Sequence, residues 1–516
     1  MSKLSPFVIM CLGFALVLIG CSQGSSSAPT SGGPPPPPVS NVAELSGNYA
    51  FTFNGITGGP GYSVVFGAVG RFTADGAGNL TNGEVDTNGI GAGAVLPAQT
   101  FTGTYSIGPD HRGVMSMNIP GGAKLAFAMM ANGNAHFIEV DATGGTGTIG
   151  SGTIEKVDTT AYNAASINGN YAFGLAGLDS NNARSAIVGR LTADGVGTFS
   201  NGAADANSSG GSNPVTVTAA NYSVSDTTTG RGRMGLALTN GTVQQNLHFV
   251  FYIVNAGKLF AMGSDAVAGS TPLLNGSVLR QQIPANGFTN ASFAGDSVIY
   301  LTGLSVCTKG SGAAPNVFLG LLTADGNGAL TMTYDQNCGG SSTSSSAQVG
   351  TYNVASDGRT SILAGGAPGV LYLTGSNSAF ILGSDSSVLF GFAESQSASS
   401  FTNAQLSGAY AGLASTPITF GVTSFSGEFS ADGASPTGNI TGSEDICVPA
   451  GPMSGMAFKA TYSVTSSPAN GRGTMTVKSG PGGNAVVYLI SNSRFVAASM
   501  ADANPAVMIF DQAPPP

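Results

Sequence analysis

The chain has 516 residues, of which only 8% are charged while 78 are glycine, and its formal net charge is −9. An average soluble protein carries about a quarter charged residues, so the polar surface here must come from Ser, Thr, Asn and the backbone. No cluster of Lys or Arg interrupts the acidic balance, which excludes a basic nucleic-acid-binding face; a chain rich in Gly, Thr, Asn and Val is poor helix material and good material for strands joined by tight turns.

At the N-terminus, Lys3 precedes an apolar stretch from Phe7 to Gly20 that is too short to persist as a membrane-spanning helix, and Leu18-Ile19-Gly20-Cys21 closes it. This segment resembles the lipobox of bacterial lipoproteins. The resemblance implies a signal peptide over residues 1–20, cleavage before Cys21, and a lipidated Cys21 carrying a diacylglyceride and a further acyl chain such as palmitate. Ser22 in place of Asp at the next position implies, by the same likeness, sorting to the outer membrane with the chain periplasmic or surface-exposed. An ordinary secretory signal with an incidental Cys21 is the alternative. Residues 21–41 are rich in Ser, Gly and Pro and include the run Pro34 to Pro38; such a segment cannot bury enough apolar surface to fold and reads as a spacer, or else as a ligand for a proline-binding partner.

From residue 42 the chain repeats itself. Ala-Asp-Gly returns with its aspartate at Asp75, Asp194, Asp325 and Asp432, and a tyrosine follows each after 30, 28, 27 and 30 residues, at Tyr105, Tyr222, Tyr352 and Tyr462 (105−75, 222−194, 352−325, 462−432). An arginine in a turn follows each tyrosine, at Arg112, Arg231, Arg359 and Arg472. Four modules are expected, over 42–159, 160–284, 285–401 and 402–513. Within the first, apolar residues alternate with polar ones: Tyr49, Phe51 and Phe53; Phe66, Ala68 and Phe72; Phe101, Gly103, Tyr105 and Ile107; Met115, Met117 and Ile119; Leu125, Phe127 and Met129. With the segments near Leu80–Val85, Ala135–Val140 and Thr148–Val157 this makes about eight short strands with no substantial helix after the signal peptide. The fold class is all-β: four tandem antiparallel modules, each an eight-stranded up-and-down barrel, with a two-sheet β-sandwich as the alternative. The opening Leu45-Ser46-Gly47-Asn48-Tyr49 is loosely similar to the first strand of lipocalin and avidin-like barrels. The chain has no Trp, which departs from the Gly-x-Trp opening of lipocalins, so ligand binding is not implied by that likeness. In the third module the first hairpin is longer and is expected to be elaborated.

Candidate chemistry competes throughout with structural readings. Asp75 and Asn79 in a Gly-rich loop, with Asp86 downstream, invite a calcium site, and Asn88, Asp205, Asn207, Asp335, Asn337, Glu444 and Asp445 hold comparable positions. Asp-Gly between apolar strands is also the strongest short hairpin signal, and that reading assigns no metal. The recurring Tyr reads as core or rim packing and the recurring Arg as a solvated turn residue. Cys307 and Cys338 are candidates for a disulfide, with Cys338–Cys447 the competing pair. His111, His136 and His248 do not recur with the repeat, and no nucleophile elbow, zinc-binding helix or Cys-x-x-Cys pair occurs, so no enzyme activity and no cofactor are expected. Two functions remain. One is a structural or adhesive stalk of β modules, lipid-anchored in the cell envelope, whose loops bind a surface protein or glycan. The other is a carrier with a small apolar ligand inside each barrel, lined in the first by Phe51, Phe53, Phe101 and Tyr105.

Overall fold

The computed structural model describes residues 40–515 apart from 58–63, 90–97, 120–121, 142–146, 209–211, 241–242, 308–312, 366 and 415–422. Cys21 and the proline run therefore lie outside the described residues. The first module is built from β1 (Ser46–Thr57), β2 (Val64–Asp75), β3 (Asn79–Gly89), β4 (Gln99–Ile107), β5 (Arg112–Met117), β6 (Ala123–Met129), β7 (Ala135–Glu139) and β8 (Thr148–Lys156). Each strand pairs with the next, and β8 returns to pair with β1 from Tyr49↔Lys156 to Thr57↔Thr148, closing a barrel. The same order repeats over 168–280, 294–395 and 407–512, giving four closed eight-stranded antiparallel barrels and no sandwich.

Local chemistry explains why the chain turns where it does. Asp75 ends β2 and its Oδ1 accepts from the backbone N–H groups of Ala77 and Asn79 at 2.7 and 2.9 Å, while Gly76 and Gly78 supply φ of 73° and 106°. Asp194, Asp325 and Asp432 make the equivalent turns. Along β4 the alternation is strict, with Phe101, Gly103, Tyr105 and Ile107 inward and Thr100, Thr102, Thr104 and Ser106 exposed. Beneath each barrel lies a short 3₁₀ turn, Val42–Glu44 in the first. The recurring tyrosine holds it in place: Tyr105 Oη donates to Leu45 O at 2.6 Å, Tyr222 to Ile167 O at 2.8 Å, Tyr352 to Asn290 O at 3.1 Å and Tyr462 to Leu406 O at 2.6 Å. The hydroxyl thus caps the end of the core that its ring helps to fill.

The four barrels close into a ring. The outer face of β1 and β2 in one barrel packs on the strands equivalent to β6 and β7 in the next. Val65 and Val69 share a buried cluster with Tyr252, Phe260 and Met262; Ala186 and Val188 with Tyr372, Phe380 and Leu382; Leu319 and Leu321 with Tyr488, Val496 and Ala498. The fourth barrel meets the first in the same sense, Leu413 and Cys447 packing with Ala126 and Ile138, and Ala411 with Ala128 and Met130. This is a head-to-tail contact repeated until it closes, a pseudo-fourfold arrangement within one chain. The connections are taut: Asp158 N–H donates to Val254 O, Gln282 to Thr374 O and Ser397 to Ile490 O, at 2.8, 2.8 and 2.9 Å, so each chain segment enters the next barrel already bonded to it.

A polar joint lies within each apolar interface. Asp86 on β3 is fully buried and receives Arg231 of the second barrel through Nε and Nη2 at 2.7 and 2.6 Å, with Tyr252 Oη donating at 2.8 Å. Asp205 receives Arg359 at 2.7 and 2.7 Å and Tyr372 at 2.8 Å; Asp335 receives Arg472 at 2.7 and 2.7 Å and Tyr488 at 2.7 Å. Two residues on, Asn88, Asn207 and Asn337 donate to carbonyl oxygens of the following barrel, at Gly263 and Asp265, Gly383 and Asp385, and Ser499 and Asp502. The arginines expected to be solvated are therefore ion-paired across interfaces, because the turns that carry them face a neighbouring barrel instead of water.

The closing joint differs. Arg112 meets Asp445 through Nη1 alone, at 2.8 Å, and its Nε turns to Asp110. The position cross-strand from this arginine, tyrosine in the other three joints, is Ala128. The position two beyond the aspartate is Cys447, which is fully buried. His136 and Asp511, 2.9 Å apart, add a second polar contact between the first and last barrels.

Replacing a joint aspartate strands an arginine and a tyrosine in an apolar interface. Asp335→Ala is expected to destabilise the ring by about 3–5 kcal/mol, read by urea unfolding at neutral pH. Burial works to raise the Asp335 pKa, but hydrogen bonds from Arg472, Ser344 and Tyr488 outweigh it and hold the carboxyl below its ordinary 3.8. The stability it contributes is thus present above that value and lost as pH falls through the folded-state pKa. The gap between wild type and Asp335→Ala should narrow progressively below about pH 4.

Candidate functional site at the ring axis

The seam between the first and last strand of every barrel faces the ring axis and borders a cavity of about 250 Å³. All four barrels line it: Thr52 and Val65 from the first, Arg184 and Asn275 from the second, Tyr300 and Phe392 from the third, Leu413 and Ile509 from the fourth. A second chamber of about 390 Å³ adjoins it, lined by Ile56, Leu178 and Leu304, which stand ten residues into the first strand of their barrels. Leu178 lines both chambers.

Arg184 opens the second strand of its barrel and pairs with Leu178 in the sheet. It is 8% exposed, and its pKa is lowered to about 10 because burial penalises the charge; the group remains cationic at neutral pH. Among the described residues its side chain makes one hydrogen bond, a long one from Nη2 to Thr302 Oγ1 of the third barrel at 3.5 Å, and its Nε has no partner there. No Asp or Glu lies within ion-pair distance of it, and the undescribed residues contain no Asp or Glu at all. Thr52 Oγ1 and Asn275 Oδ1, also on the cavity wall, are buried without partners as well. An isolated buried charge costs on the order of several kcal/mol, so this arrangement is stable only if something compensates it.

Beside the axis a chain of polar contacts links three barrels. Tyr300 Oη hydrogen-bonds Glu394, Arg494 reaches Glu394 and Tyr300 at 3.0 and 3.3 Å, and Asp511 joins Arg494 to His136. The Asp511 carboxyl is held well below its ordinary value: burial opposes this, but Arg494 and His136 prevail. Both carboxylates of this polar chain meet Arg494, while His136 Nδ1 is buried without a hydrogen-bond partner among the described residues.

The residues singled out by sequence are distributed differently. Asp75 and Asn79 sit together at the exposed β2–β3 turn, where Asn79 Nδ2 donates to Asp75 Oδ2 at 2.7 Å. Asp86 is seven residues along β3, roughly 23 Å away at strand spacing, with both carboxylate oxygens bound by Arg231 and Tyr252. The calcium set Asp75, Asn79 and Asp86 is therefore not brought together. Among the described residues no group of three or more His, Cys, Asp or Glu converges to hold a metal. Phe51, Phe53, Phe101 and Tyr105 all belong to one buried cluster with Phe72, Phe127 and Phe137, and Phe51 and Phe53 both contact the Phe137 ring at centroid distances of 6.4 and 5.9 Å. Cys307 and Cys338 are joined in a disulfide that ties the elaborated hairpin of the third barrel to its third strand. Inside the fourth barrel about 140 Å³ of space lies among Phe425, Phe429, Phe458, Met475, Phe510 and Glu444.

Sequence reasoning missed Arg184. The signal was present as a break in the repeat. Ten residues before each Ala-Asp-Gly aspartate stand Val65, Arg184, Pro315 and Val422 (75−10, 194−10, 325−10, 432−10), so one copy carries a charge where the others carry none.

Compared with known proteins, the chain matches no protein-family model and no curated protein sequence.

Glu428 faces the closing joint at 9% exposure, and burial, followed by the nearby Asp110 and Glu44, pushes its carboxyl up to about 9. Being raised in the folded state, it favours folding most below its ordinary 4.5, and that advantage is lost as pH rises toward 9. Melting temperature should therefore decline between pH 5 and 9 in wild type, and Glu428→Gln should flatten that decline, as read by calorimetric scans across the range.

Proposed function

We propose that the protein is a lipid-anchored cell-envelope protein, held at the outer membrane through Cys21, whose four barrels form a non-catalytic head, structural or adhesive, for binding. The anchoring half of this reading is supported by Lys3, the apolar run and Leu18-Ile19-Gly20-Cys21, followed by the Ser, Gly and Pro-rich spacer. Because the barrels close on themselves, reach from the membrane falls to that spacer, at most roughly 60 Å if extended at ~3.1 Å per residue. The array then acts as a head on a tether, with its loops turned toward a surface protein or glycan.

The observation that carries the non-catalytic half is the employment of the repeat's polar residues. The turn aspartates bond their own backbone, the tyrosines hold the 3₁₀ turns, and the aspartate and arginine of each joint bond each other. Among the described residues these recurring polar side chains bond within the scaffold itself, which supports a reading without a chemistry shared by the four copies. A second reading, a carrier of small apolar molecules, draws support from the fourth barrel's internal cavity of about 140 Å³.

Cys21→Ser is expected to move the protein from the membrane to the soluble fraction and to abolish palmitate labelling, and globomycin to accumulate the precursor; processing unaffected by either removes the anchor. Deletion of the gene with envelope integrity, attachment and partner pull-downs all unchanged removes the head. Native mass spectrometry separates the two readings, since a co-purified uncharged apolar molecule supports the carrier and its absence the head.

A further inference from the structure

We infer that the axial cavity binds a small organic monoanion, a carboxylate on an apolar body, with Arg184 as its charge partner. The inference deepens the reading of the ring as a binding head and does not depend on the membrane anchor.

Three observations converge. The first is a charge without a counter-charge. The joint arginines Arg231, Arg359 and Arg472 each meet a carboxylate, as do Arg112, Arg190 and Arg494; Arg71, buried without one, bonds Thr228 O, Asn48 Oδ1 and Thr73 Oγ1, whereas Arg184, more than nine-tenths buried, meets among the described residues one hydroxyl at 3.5 Å. A guanidinium has five N–H donors in a planar fork suited to a carboxylate, so most of its capacity is unused here. The second is that the break from the repeat is local. Val65 and Pro315 hold the same register against the first strand that Arg184 holds, facing Ile56 and Leu304 as Arg184 faces Leu178, so the ring needs no arginine at this position to form. The third is the shape and chemistry of the space. An apolar cavity of roughly 150 Å³ accommodates benzene; about 250 Å³ accommodates a six- to eight-carbon body with a carboxylate. Phe66, Leu273, Phe390, Leu413, Val507 and Ile509 supply apolar wall, and Thr52 Oγ1 and Asn275 Oδ1 add an unused donor and acceptor. An inorganic anion would leave that wall facing water. The adjoining chamber, ringed by Ile56, Leu178 and Leu304, leads to Arg184 through Leu178, its partner in the sheet.

The test uses the full-length chain in mild detergent, titrated with benzoate and with octanoate by calorimetry and thermal shift. Benzamide serves as the uncharged analogue and inorganic phosphate as the anion without an apolar body. One saturable site per chain is expected, with a rise of several degrees in melting temperature and at least tenfold weaker binding of benzamide and phosphate. Arg184→Val, which installs the residue of the first barrel, should lower carboxylate affinity at least tenfold while melting at or above wild type without ligand, because an uncompensated charge has been removed. Arg184→Gln provides the same comparison with a polar side chain retained. Several results overturn the inference: no saturable binding of either acid, equal binding of benzamide, binding of phosphate only, unchanged affinity in Arg184→Val, or failure of both variants to fold, which makes the arginine a structural group. Because nothing in this titration reads lipidation, loss of binding leaves the anchor standing, and a failed anchor test leaves the site standing.

Discussion

The structure depends on a carboxylate taken out of water by one barrel and satisfied by the next. Asp86, Asp205 and Asp335 are buried on the outside of their own barrels, where no described residue of the same barrel supplies a countercharge. Each finds a bidentate arginine and a tyrosine hydroxyl only when the following barrel docks in one orientation. Apolar contact between barrels is non-directional and would tolerate sliding; a buried fork of hydrogen bonds does not. The joints add little net stability over an apolar substitute, but they make every misregistered docking expensive, and so they set the angle that lets four barrels meet around an axis.

Closure has a cost that the closing joint shows. Three joints are made as the chain leaves one barrel and enters the next, with the connection itself bonded into the interface. The fourth is made between the ends of the array and follows its own chemistry, with Ala128 and Cys447 where tyrosine and asparagine stand elsewhere. A monodentate Arg112–Asp445 contact and the His136–Asp511 pair replace the fork. Glu428, whose carboxyl is pushed up to about 9 by burial, sits at this seam, so the closing junction loses stability as pH rises toward that value.

The axis is a product of the same geometry. Strands that open and close each barrel point inward, and the small residues along them, Gly55, Gly152, Gly177, Gly276 and Gly391, allow the four seams to approach without filling the centre. A Cβ on Gly177 would lie 1.6 Å from Leu273 O, so the close pairing of first and last strand in the second barrel requires glycine there. Against that apolar centre, one barrel departs from the pattern and inserts Arg184. Repetition built the scaffold, and a single deviation from it placed a charge where four barrels converge.

Much of this was legible before the fold was known. Alternation such as Phe101-Thr102-Gly103-Thr104-Tyr105 states which side chains face inward, because neighbouring residues on a strand point to opposite faces. Asp-Gly marks where strands turn, because its chemistry is local. The repeat exposed every component of the joints, since Asp86 with Asn88 and Arg231 recurred with their copies. Pairing them was beyond it: the partners lie 137 to 154 residues apart and on different modules, and a periodic sequence is equally consistent with barrels strung out in solvent. Sequence by itself determined the strands, the turns and the number of copies, all matters of near neighbours and of which face of a strand is oily, while barrel and sandwich were parted by the pairing of first and last strand. Only the tertiary structure decided that the array closes, that its recurring charges serve the joints, and that Arg184 faces a shared cavity, because each of these depends on where the surface of one barrel ends and the next begins.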